Sequence, residues 1–215
     1  MRFFRVTTGV FQAHTYFLIC EQTRQTLVID PGEEFDAIAD AIRKERLEVV
    51  RIVVSHAHLD HFWSAGALRE MTGAPIHLHP ADDFLYTQLP EQGSWFGFDL
   101  EDAPPVEVYL KDGDVLTFGR EQVRVRHVPG HSPGHVMLYN ETDAWVGDCL
   151  FASSVGRVDL PGGDGPTLIN SIEERIVTLG EHYRIHPGHG PSTTVARELD
   201  DNPFLTGRLP GMSRR

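Results

Sequence analysis

Apolar residues recur along the chain with two different periods, and these periods predict alternating strands and helices. Short runs rich in β-branched and aromatic residues predict strands in the first half over residues 2–7, 15–20, 26–29, 49–54 and 76–78. Similar runs predict strands in the second half over residues 106–110, 115–118, 123–128, 136–139, 144–146 and 183–185. Apolar residues at helical spacing predict helices over residues 34–45, 62–71 and 167–179, with shorter helices over 81–88 and 193–200.

The order of these elements predicts the fold class. Each half of the chain runs through strands first and helices later, a pattern typical of two mixed sheets packed face to face with helices outside. We therefore predict an α/β fold, and we expect residues 1–215 to form a single domain because no low-complexity linker divides them. The longest irregular stretch is residues 89–105, and loops of this length are usually functional or mobile. Its aromatic residues either cap a substrate pocket or cover an edge of the core.

Composition and charge restrict the class of function. The hydrophobic content of 40% and the charged content of 23% are ordinary for a globular protein. A net charge of -12 argues against a nucleic-acid groove, which needs a basic stripe, and against binding to an anionic membrane surface. The N-terminus lacks an apolar signal segment, no apolar run is long enough to span a membrane, and the two cysteines suggest no disulfide framework. We therefore expect a cytoplasmic protein, and the oligomeric state stays open.

Three histidines and an aspartate lie within six residues directly after the predicted strand 49–54. The motif is His56-Ala57-His58-Leu59-Asp60-His61, in a chain that holds twelve histidines in all. Histidine and carboxylate side chains are the ligand set of zinc and related metals. The alternative is a solvated, histidine-rich loop, but further ligand-type residues downstream favour a metal site.

Those downstream residues are His131, Asp148 and His189, and each of them follows a predicted strand. Glycine and proline residues beside them fix the direction of each loop. Two metals about 3.5–4 Å apart can bind one hydroxide and lower its pKa towards neutrality, so a ligand set of this size predicts a catalytic site. Asp30, at the end of its own strand, is either an acceptor for a ligand histidine or a turn residue.

The whole pattern resembles the metallo-β-lactamase superfamily, and the resemblance covers nearly the full length. His-x-His-x-Asp-His is the signature of that superfamily, and the later His, Asp and His follow in the right order. The resemblance implies an αββα sandwich of two mixed β-sheets flanked by helices, with two divalent metal ions at the edge between the sheets. Zinc is the expected metal, with iron or manganese as alternatives. The implied ligands are His56, His58 and His131 for one metal, Asp60, His61 and His189 for the other, and Asp148 as a bridge. Asp60 would also act as a catalytic residue that orients the nucleophile.

Three segments resemble the compact, glyoxalase II-like (hydroxyacylglutathione hydrolase-like) branch of the superfamily. They are residues 131–135, residues 147–151 and residues 154–163. This branch implies hydrolysis of a small-molecule thioester such as S-lactoylglutathione, by attack of a metal-bridging hydroxide on the carbonyl carbon. Full-length glyoxalase II carries a C-terminal helical domain that binds glutathione. We expect this chain to lack that domain, so the thiol carrier stays open.

Four other residues receive individual interpretations. Arg157 is the best-placed cation for an anionic substrate tail, and a structural salt bridge is the alternative. Cys149, next to Asp148, either packs in the core or makes the site sensitive to oxidation. We expect His135 to brace the ligand loop and His14 to stay out of the pocket.

Three rival functions use the same residues. A persulfide dioxygenase shares the fold but uses a single iron, which His56, His131 and Asp148 would hold as a facial triad. Lactone, ester or phosphodiester hydrolysis would use the dinuclear site unchanged. A non-catalytic metal-binding protein is the third alternative. The segment 154–163 favours the thioester hydrolase.

Overall fold

The computed structural model of the protein describes residues 1–207. Six strands form the first sheet: β1 (Arg2–Thr8), β2 (Ala13–Ile19), β3 (Gln25–Ile29), β4 (Glu48–Val53), β5 (Ile76–Leu78) and β6 (Val108–Tyr109). Their spatial order follows the chain, and the pairing changes from antiparallel to parallel after β3. The parallel part requires crossover connections, and these are supplied by helices.

Six more strands form the second sheet, and two short strands pair separately beside it. In chain order they are β7 (Val115–Phe118), β8 (Glu121–His127), β9 (Val136–Tyr139), β10 (Asp143–Gly147), β11 (Leu150–Phe151), β12 (Ser154–Val155), β13 (Arg184–Pro187) and β14 (Thr193–Thr194). The second sheet has the order β14-β13-β10-β9-β8-β7, and β11 pairs only with β12. Strands β10 and β13 are parallel, whereas the other neighbours in this sheet are antiparallel.

Within residues 1–207, eight α-helices flank the sheets. They are α1 (Phe35–Glu45), α2 (Leu59–Phe62), α3 (Ala65–Thr72), α4 (Asp83–Tyr86), α5 (Leu89–Trp95), α6 (Gly165–Ser171), α7 (Val195–Asp201) and α8 (Pro203–Thr206). A 3₁₀ turn at Pro80–Asp82 precedes α4, and a π-helical segment at Ile172–Ile176 with a 3₁₀ turn at Val177–Leu179 extends α6. Across residues 1–207, every helix is too short or too polar to traverse a bilayer.

Three apolar clusters show that the layers are helix, sheet, sheet, helix. On β2, Phe17 and Ile19 face the cluster beneath α1 and α3, whereas Tyr16 and Leu18 face the cluster between the two sheets. Alternate residues of a strand point to opposite faces, so a strand buried on both faces reads as a continuous apolar run. The third cluster lies between the second sheet and α6, around Leu168. The predicted sandwich of two mixed sheets with flanking helices is confirmed.

Several predicted boundaries were wrong. The helix predicted over residues 62–71 is two helices, α2 and α3, of which α2 begins within the histidine motif. The stretch 89–105 was predicted to be irregular, but its first seven residues form α5. Pro90 is tolerated because it lies in the first turn, where no helical partner for its nitrogen is needed. Gly93 is required there, because a Cβ atom would lie 2.9 Å from Leu100 Cγ. The short strands β11, β12 and β14 and the helix α8 were missed.

Candidate metal centre

The predicted ligands all follow strands that run in the same direction within their sheets. In the first sheet, Asp30 follows β3 and the histidine motif follows the parallel strand β4. In the second sheet, His131 follows β8, Asp148 follows β10 and His189 follows β13. The carboxyl ends of parallel strands meet at one edge, which is where α/β folds place their sites. The loops of both sheets meet at this edge, so donors from both halves of the chain come together.

The first donor set consists of three buried histidine rings. The Nε2 atom of His131 lies 2.9 Å from His58 Nδ1 and 3.1 Å from His56 Nε2. Each ring is at most 6% exposed. Three imidazole nitrogens therefore converge on one point that water reaches only from the cleft side.

The second donor set lies beside the first. The Nε2 atom of His189 lies 3.3 Å from His61 Nε2 and 3.1 Å from Asp60 Oδ2. Asp148 lies between the sets, since its Oδ1 is 3.5 Å from His61 Nε2 and its Oδ2 is 3.5 Å from His189 Nε2 and 3.9 Å from His131 Nε2. The structure therefore brings together all seven residues that the sequence singled out.

Hydrogen bonds at the far side of the rings determine which nitrogen carries the proton. His131 Nδ1 lies 2.7 Å from the carbonyl oxygen of Arg157, and His189 Nδ1 lies 3.0 Å from that of Phe11. A carbonyl can only accept, so both Nδ1 atoms must donate. The Nε2 atoms of His131 and His189 are consequently left with lone pairs that point into the site.

Asp30 orients the rings of His61 and His56 in the same way, with each Nδ1 atom on the far side from the site. Its Oδ2 lies 3.0 Å from His61 Nδ1 and accepts a hydrogen bond from the Ser55 hydroxyl at 2.7 Å. Since the hydroxyl proton is used, Ser55 Oγ accepts from His56 Nδ1 at 3.0 Å. Asp30 also holds the backbone of the motif, because Ser55 N–H donates to its Oδ1 at 2.6 Å. Asp30 therefore has the outer role that the sequence left undecided, and the Nε2 atoms of His56 and His61 also face inward, where each ring in its neutral form offers a lone pair.

This arrangement fits two divalent metal ions. Lone pairs on two rings repel each other at 3.1 Å and at 3.3 Å unless a cation lies between them. Donors bound to one metal at about 2.1 Å are separated by about 3–3.5 Å, as these atoms are. The Oδ1 atom of Asp148 is buried without a hydrogen-bond partner, as expected for an oxygen that binds a metal. Histidine and carboxylate donors suit zinc and iron equally.

The charges of the site are strongly coupled. Burial opposes the charged form of Asp148, but His61 and the neighbouring histidines hold the pKa of that carboxyl well below its usual range. Burial likewise opposes a charge on His61, yet Asp60 and Asp148 beside it raise the pKa of that ring. His56 has no carboxylate at such close range, and burial together with four surrounding histidines lowers its pKa. The negative charge is thus concentrated on the side of the second donor set.

The donors form the floor of a cleft of about 210 Å³ that opens at the edge of the sandwich. The lining residues are Phe11, His58, Leu59, Asp60, Gln92, Trp95, Phe96, His131, Asp148, Arg157, Leu160 and His189. The predicted cation Arg157 is at the rim, where its guanidinium makes two hydrogen bonds to the carboxylate of Asp159, at 2.7 and 2.8 Å. The cleft can therefore hold a small molecule with one end on the donors.

Comparison with known proteins agrees with this geometry. The family model of the Metallo-beta-lactamase superfamily matches residues 8–189, which include every donor described above. The protein belongs to the metallo-beta-lactamase superfamily. Its similarity to individual relatives extends over as much as 96% of the chain.

Two curated relatives of this superfamily member illustrate the range of names. A probable metallo-hydrolase, YqgX of Bacillus subtilis, is 37% identical over 96% of this chain and 99% of its own length. The hydroxyacylglutathione hydrolase GloC of Haemophilus influenzae is 34% identical over 89% of this chain and 92% of its own length. These relatives show the superfamily, and they carry two different functional descriptions.

Solved structures of superfamily members superpose closely. The BLEG-1 B3 metallo-beta-lactamase has a TM-score of 0.89 with 35% identity, covering 96% of this chain and all of its own. TTHA1623, solved in a di-iron-bound form, has a TM-score of 0.85 with 37% identity, covering 94% of this chain and all of its own. ETHE1 from Myxococcus xanthus has a TM-score of 0.81 with 25% identity, covering 96% of this chain and 85% of its own.

In this member of the superfamily, Asp82 connects two donor loops. The side chain is fully buried in the 3₁₀ turn before α4. Its Oδ2 accepts from the Ala57 N–H at 3.1 Å and from the Ser132 hydroxyl at 2.6 Å, and its Oδ1 accepts from the Gly134 N–H. The His56–His58 loop and the His131 loop are therefore held by one carboxylate.

Replacing Asp82 by asparagine is expected to destabilise the fold by about 2–3 kcal/mol, because the NH₂ group would face the backbone N–H of Gly134 or of Ala57, which then has no acceptor. Urea unfolding of metal-stripped protein measures this loss separately from any change in metal binding. Asp200→Asn, at an exposed position in α7, is the matched control and should stay within about 0.5 kcal/mol. Equal unfolding midpoints for the two variants would contradict a clamping role for Asp82.

His135 and Cys149 lie behind the donors. His135 Nε2 accepts a hydrogen bond from the Asp148 N–H at 3.0 Å, and its ring stacks on that of His56. Its Nδ1 lies 3.3 Å from Cys149 Sγ, which donates to the Val128 carbonyl at 3.4 Å. Burial raises the pKa of Cys149, which is fully enclosed in the third apolar cluster. His135 thus braces the loop, and the thiol packs in the core instead of facing the cleft.

His14 supports the loop on the opposite side. Its Nδ1 lies 2.8 Å from the Thr7 hydroxyl, and its Nε2 donates to the Gly190 carbonyl at 2.7 Å. Burial lowers the pKa of His14 to about 4. The ring holds the His189 loop from outside and does not line the cleft.

Proposed function

We propose that the protein is a dinuclear metallo-hydrolase that cleaves small-molecule thioesters, such as S-lactoylglutathione or a related acyl thioester. The observation that carries this proposal is the pair of donor sets that share Asp148 on the floor of an open cleft. The name of the relative GloC, a hydroxyacylglutathione hydrolase, supports this substrate class.

In the proposed centre, His56, His58 and His131 hold one divalent cation, Asp60, His61 and His189 hold the second, and Asp148 contacts both. When bound, such a pair of cations supplies Lewis acidity and activates water at neutral pH. We propose zinc as the resident metal, with iron as the alternative because TTHA1623 was solved with two irons.

The protein's own groups would orient the reactants. Asp60 is the most exposed carboxylate of the floor, with 16% of its side chain accessible. Burial opposes its charge, but the neighbouring His61 and His189 rings lower the pKa of Asp60, so it is ionised near neutral pH and can only accept. We propose that Asp60 accepts a hydrogen bond from the nucleophile. This bond would direct the lone pair of the nucleophile at the substrate carbonyl. The apolar upper walls would exclude bulk water from the reacting end of the substrate.

A mononuclear iron enzyme is the rival proposal, in which only His56, His131 and Asp148 bind metal. The outer hydrogen bonds of the second set count against it. His61 and His189 each have an Nδ1 atom held by Asp30 and by the Phe11 carbonyl, which turns both Nε2 atoms toward the site as in the first set.

Elemental analysis of protein purified without added metal or chelator tests the metal count. About two metals per chain, with hydrolysis of S-lactoylglutathione or another thioester, would agree with the proposal. A lactone, a carboxylic ester and a persulfide complete the substrate panel. One iron per chain with oxygen-dependent consumption of the persulfide would overturn it.

A further inference from the structure

We propose that an aromatic wall formed by Phe11, Trp95 and Phe96 selects the substrate, which carries an uncharged aromatic or bulky apolar group beside its scissile bond. This inference rests on the proposed function, since it names the class of thioester for the same cleft, and it predicts that an uncharged aromatic acyl thioester is a better substrate than S-lactoylglutathione. It concerns side chains above the donors, none of which belongs to the metal centre.

The wall consists of large aromatic rings that remain accessible. Trp95 is 45% exposed and Phe96 is 48% exposed, although both line the cleft. Phe11 reaches the same wall from the turn between β1 and β2, and its ring meets Phe96 edge to face with centroids 5.0 Å apart. Accessible aromatic surface beside a polar floor is the usual composition of a ligand pocket, where the apolar part holds the ligand body.

The wall is fixed relative to the donors by Gln92. Its side-chain amide donates to the carbonyls of Ala57 at 2.9 Å and Leu85 at 2.8 Å, and its oxygen accepts from the Leu59 N–H at 3.0 Å. Ala57 and Leu59 flank His58, so α5 is attached to the donor loop itself. Trp95 lies three residues after Gln92, about one helical turn along α5, and therefore keeps a constant distance from the floor.

Charge on the walls of the cleft, above the two proposed cations, gives an anionic group no free partner. Apart from the histidines of the floor, Arg157 is the only cationic side chain among the described lining residues, and Asp159 already engages it with two hydrogen bonds. A substrate carboxylate would have to displace Asp159 and then remain next to it. The net charge of -12 on the chain adds to this repulsion. An apolar group pays no such cost on the aromatic wall.

Matched thioesters test the inference by steady-state kinetics of the metal-loaded enzyme. One pair places phenylacetyl or succinyl on the same neutral thiol, N-acetylcysteamine, and a second pair places acetyl on benzyl mercaptan or on glutathione. We expect the aromatic member of at least one pair to have a kcat/KM at least about tenfold higher. Trp95→Ala should reduce that ratio to below about threefold. Phe84→Ala, an exposed aromatic residue outside the lining of the cleft, is the control that should leave the ratio unchanged.

A binding measurement separates failure of this inference from failure of the proposed function. The probe is the neutral thioether S-phenethyl-N-acetylcysteamine, whose binding to metal-loaded protein is measured by calorimetry. A higher kcat/KM for the anionic members would contradict the selective role of the aromatic wall, as would a kcat/KM ratio that is unchanged in Trp95→Ala. Either result would leave the proposed hydrolase function standing. Absence of thioester turnover would overturn the hydrolase, and the wall would then stand only if Trp95→Ala weakens thioether binding by at least about tenfold. Equal binding of the thioether to the unaltered protein and to the Trp95→Ala variant would overturn the role of the aromatic wall.

Discussion

The Asp148→Asn variant is expected to lose at least about 100-fold in kcat and to retain about one metal per chain instead of two. Asparagine keeps the shape of the side chain but removes the charge that faces both donor sets. Asp148 Oδ1 lies 3.5 Å from His61 Nε2, and Oδ2 lies 3.5 Å from His189 Nε2. In asparagine, one of these oxygens becomes an NH₂ group and the other a neutral amide oxygen, and both bind a cation more weakly than a carboxylate does. Elemental analysis and steady-state kinetics on the best thioester measure the two effects.

The exposed Asp200→Asn variant is the control for Asp148→Asn, since it makes the same chemical change far from the donors. It should keep both metals and full activity. An Asp148→Asn protein with two metals and unaltered kcat would contradict the shared role proposed for Asp148.

Gly188→Ala is expected to empty the second donor set while leaving every donor residue in the sequence. A Cβ atom at this position would lie 2.2 Å from Asp148 Oδ1 and 2.7 Å from His61 Cε1, so one of them must move. We expect loss of about one metal per chain and a fall in kcat/KM of at least about 100-fold, because shifts of about 1 Å in a catalytic group have effects of this size. Metal content and kinetics are measured as for Asp148→Asn.

Gly190→Ala provides the matched control on the other side of His189. Gly190 has a φ of +72°, so alanine there strains the backbone, but no other heavy atom lies within 4 Å of the new Cβ. The control should lose about 1–2 kcal/mol of stability and keep two metals. If Gly188→Ala also keeps two metals, the close approach at Gly188 is not needed for the second set.

The residues that come together at the edge of the sheets could be singled out from the sequence because their signal is local and chemical. His56, His58, Asp60 and His61 lie on one short loop after an apolar run, and ligand-type residues recur after later strands. Fold class followed from apolar periodicity, which each strand or helix displays by itself. These signals need no knowledge of which segments meet in space.

The residues that hold the donors in place could not be predicted in this way. Asp82 and Gln92 bind backbone groups of loops that are 25 to 52 residues away, and such partners leave no pattern in the sequence. Helix α5 was missed for a related reason. Pro90 and Gly93 are typical of irregular segments, and only the structure shows that Pro90 lies in the first turn of a helix and that the approach of Leu100 requires glycine at position 93. Arg157 was recognised as a cation, but its pairing with Asp159 appears only in the folded chain.

The position of the candidate metal centre between the two sheets links metal binding to folding. Each proposed site takes donors from both sheets, since His56 and His58 are completed by His131, and Asp60 and His61 by His189. Neither half of the chain carries a complete donor set. A cation can therefore contact all donors of one site only after the two halves have packed. Binding energy at such a site is also folding energy. A cation bound to these donors would therefore stabilise the packed form of the two sheets, and removal of metal should lower the free energy of unfolding at the edge where the cleft opens.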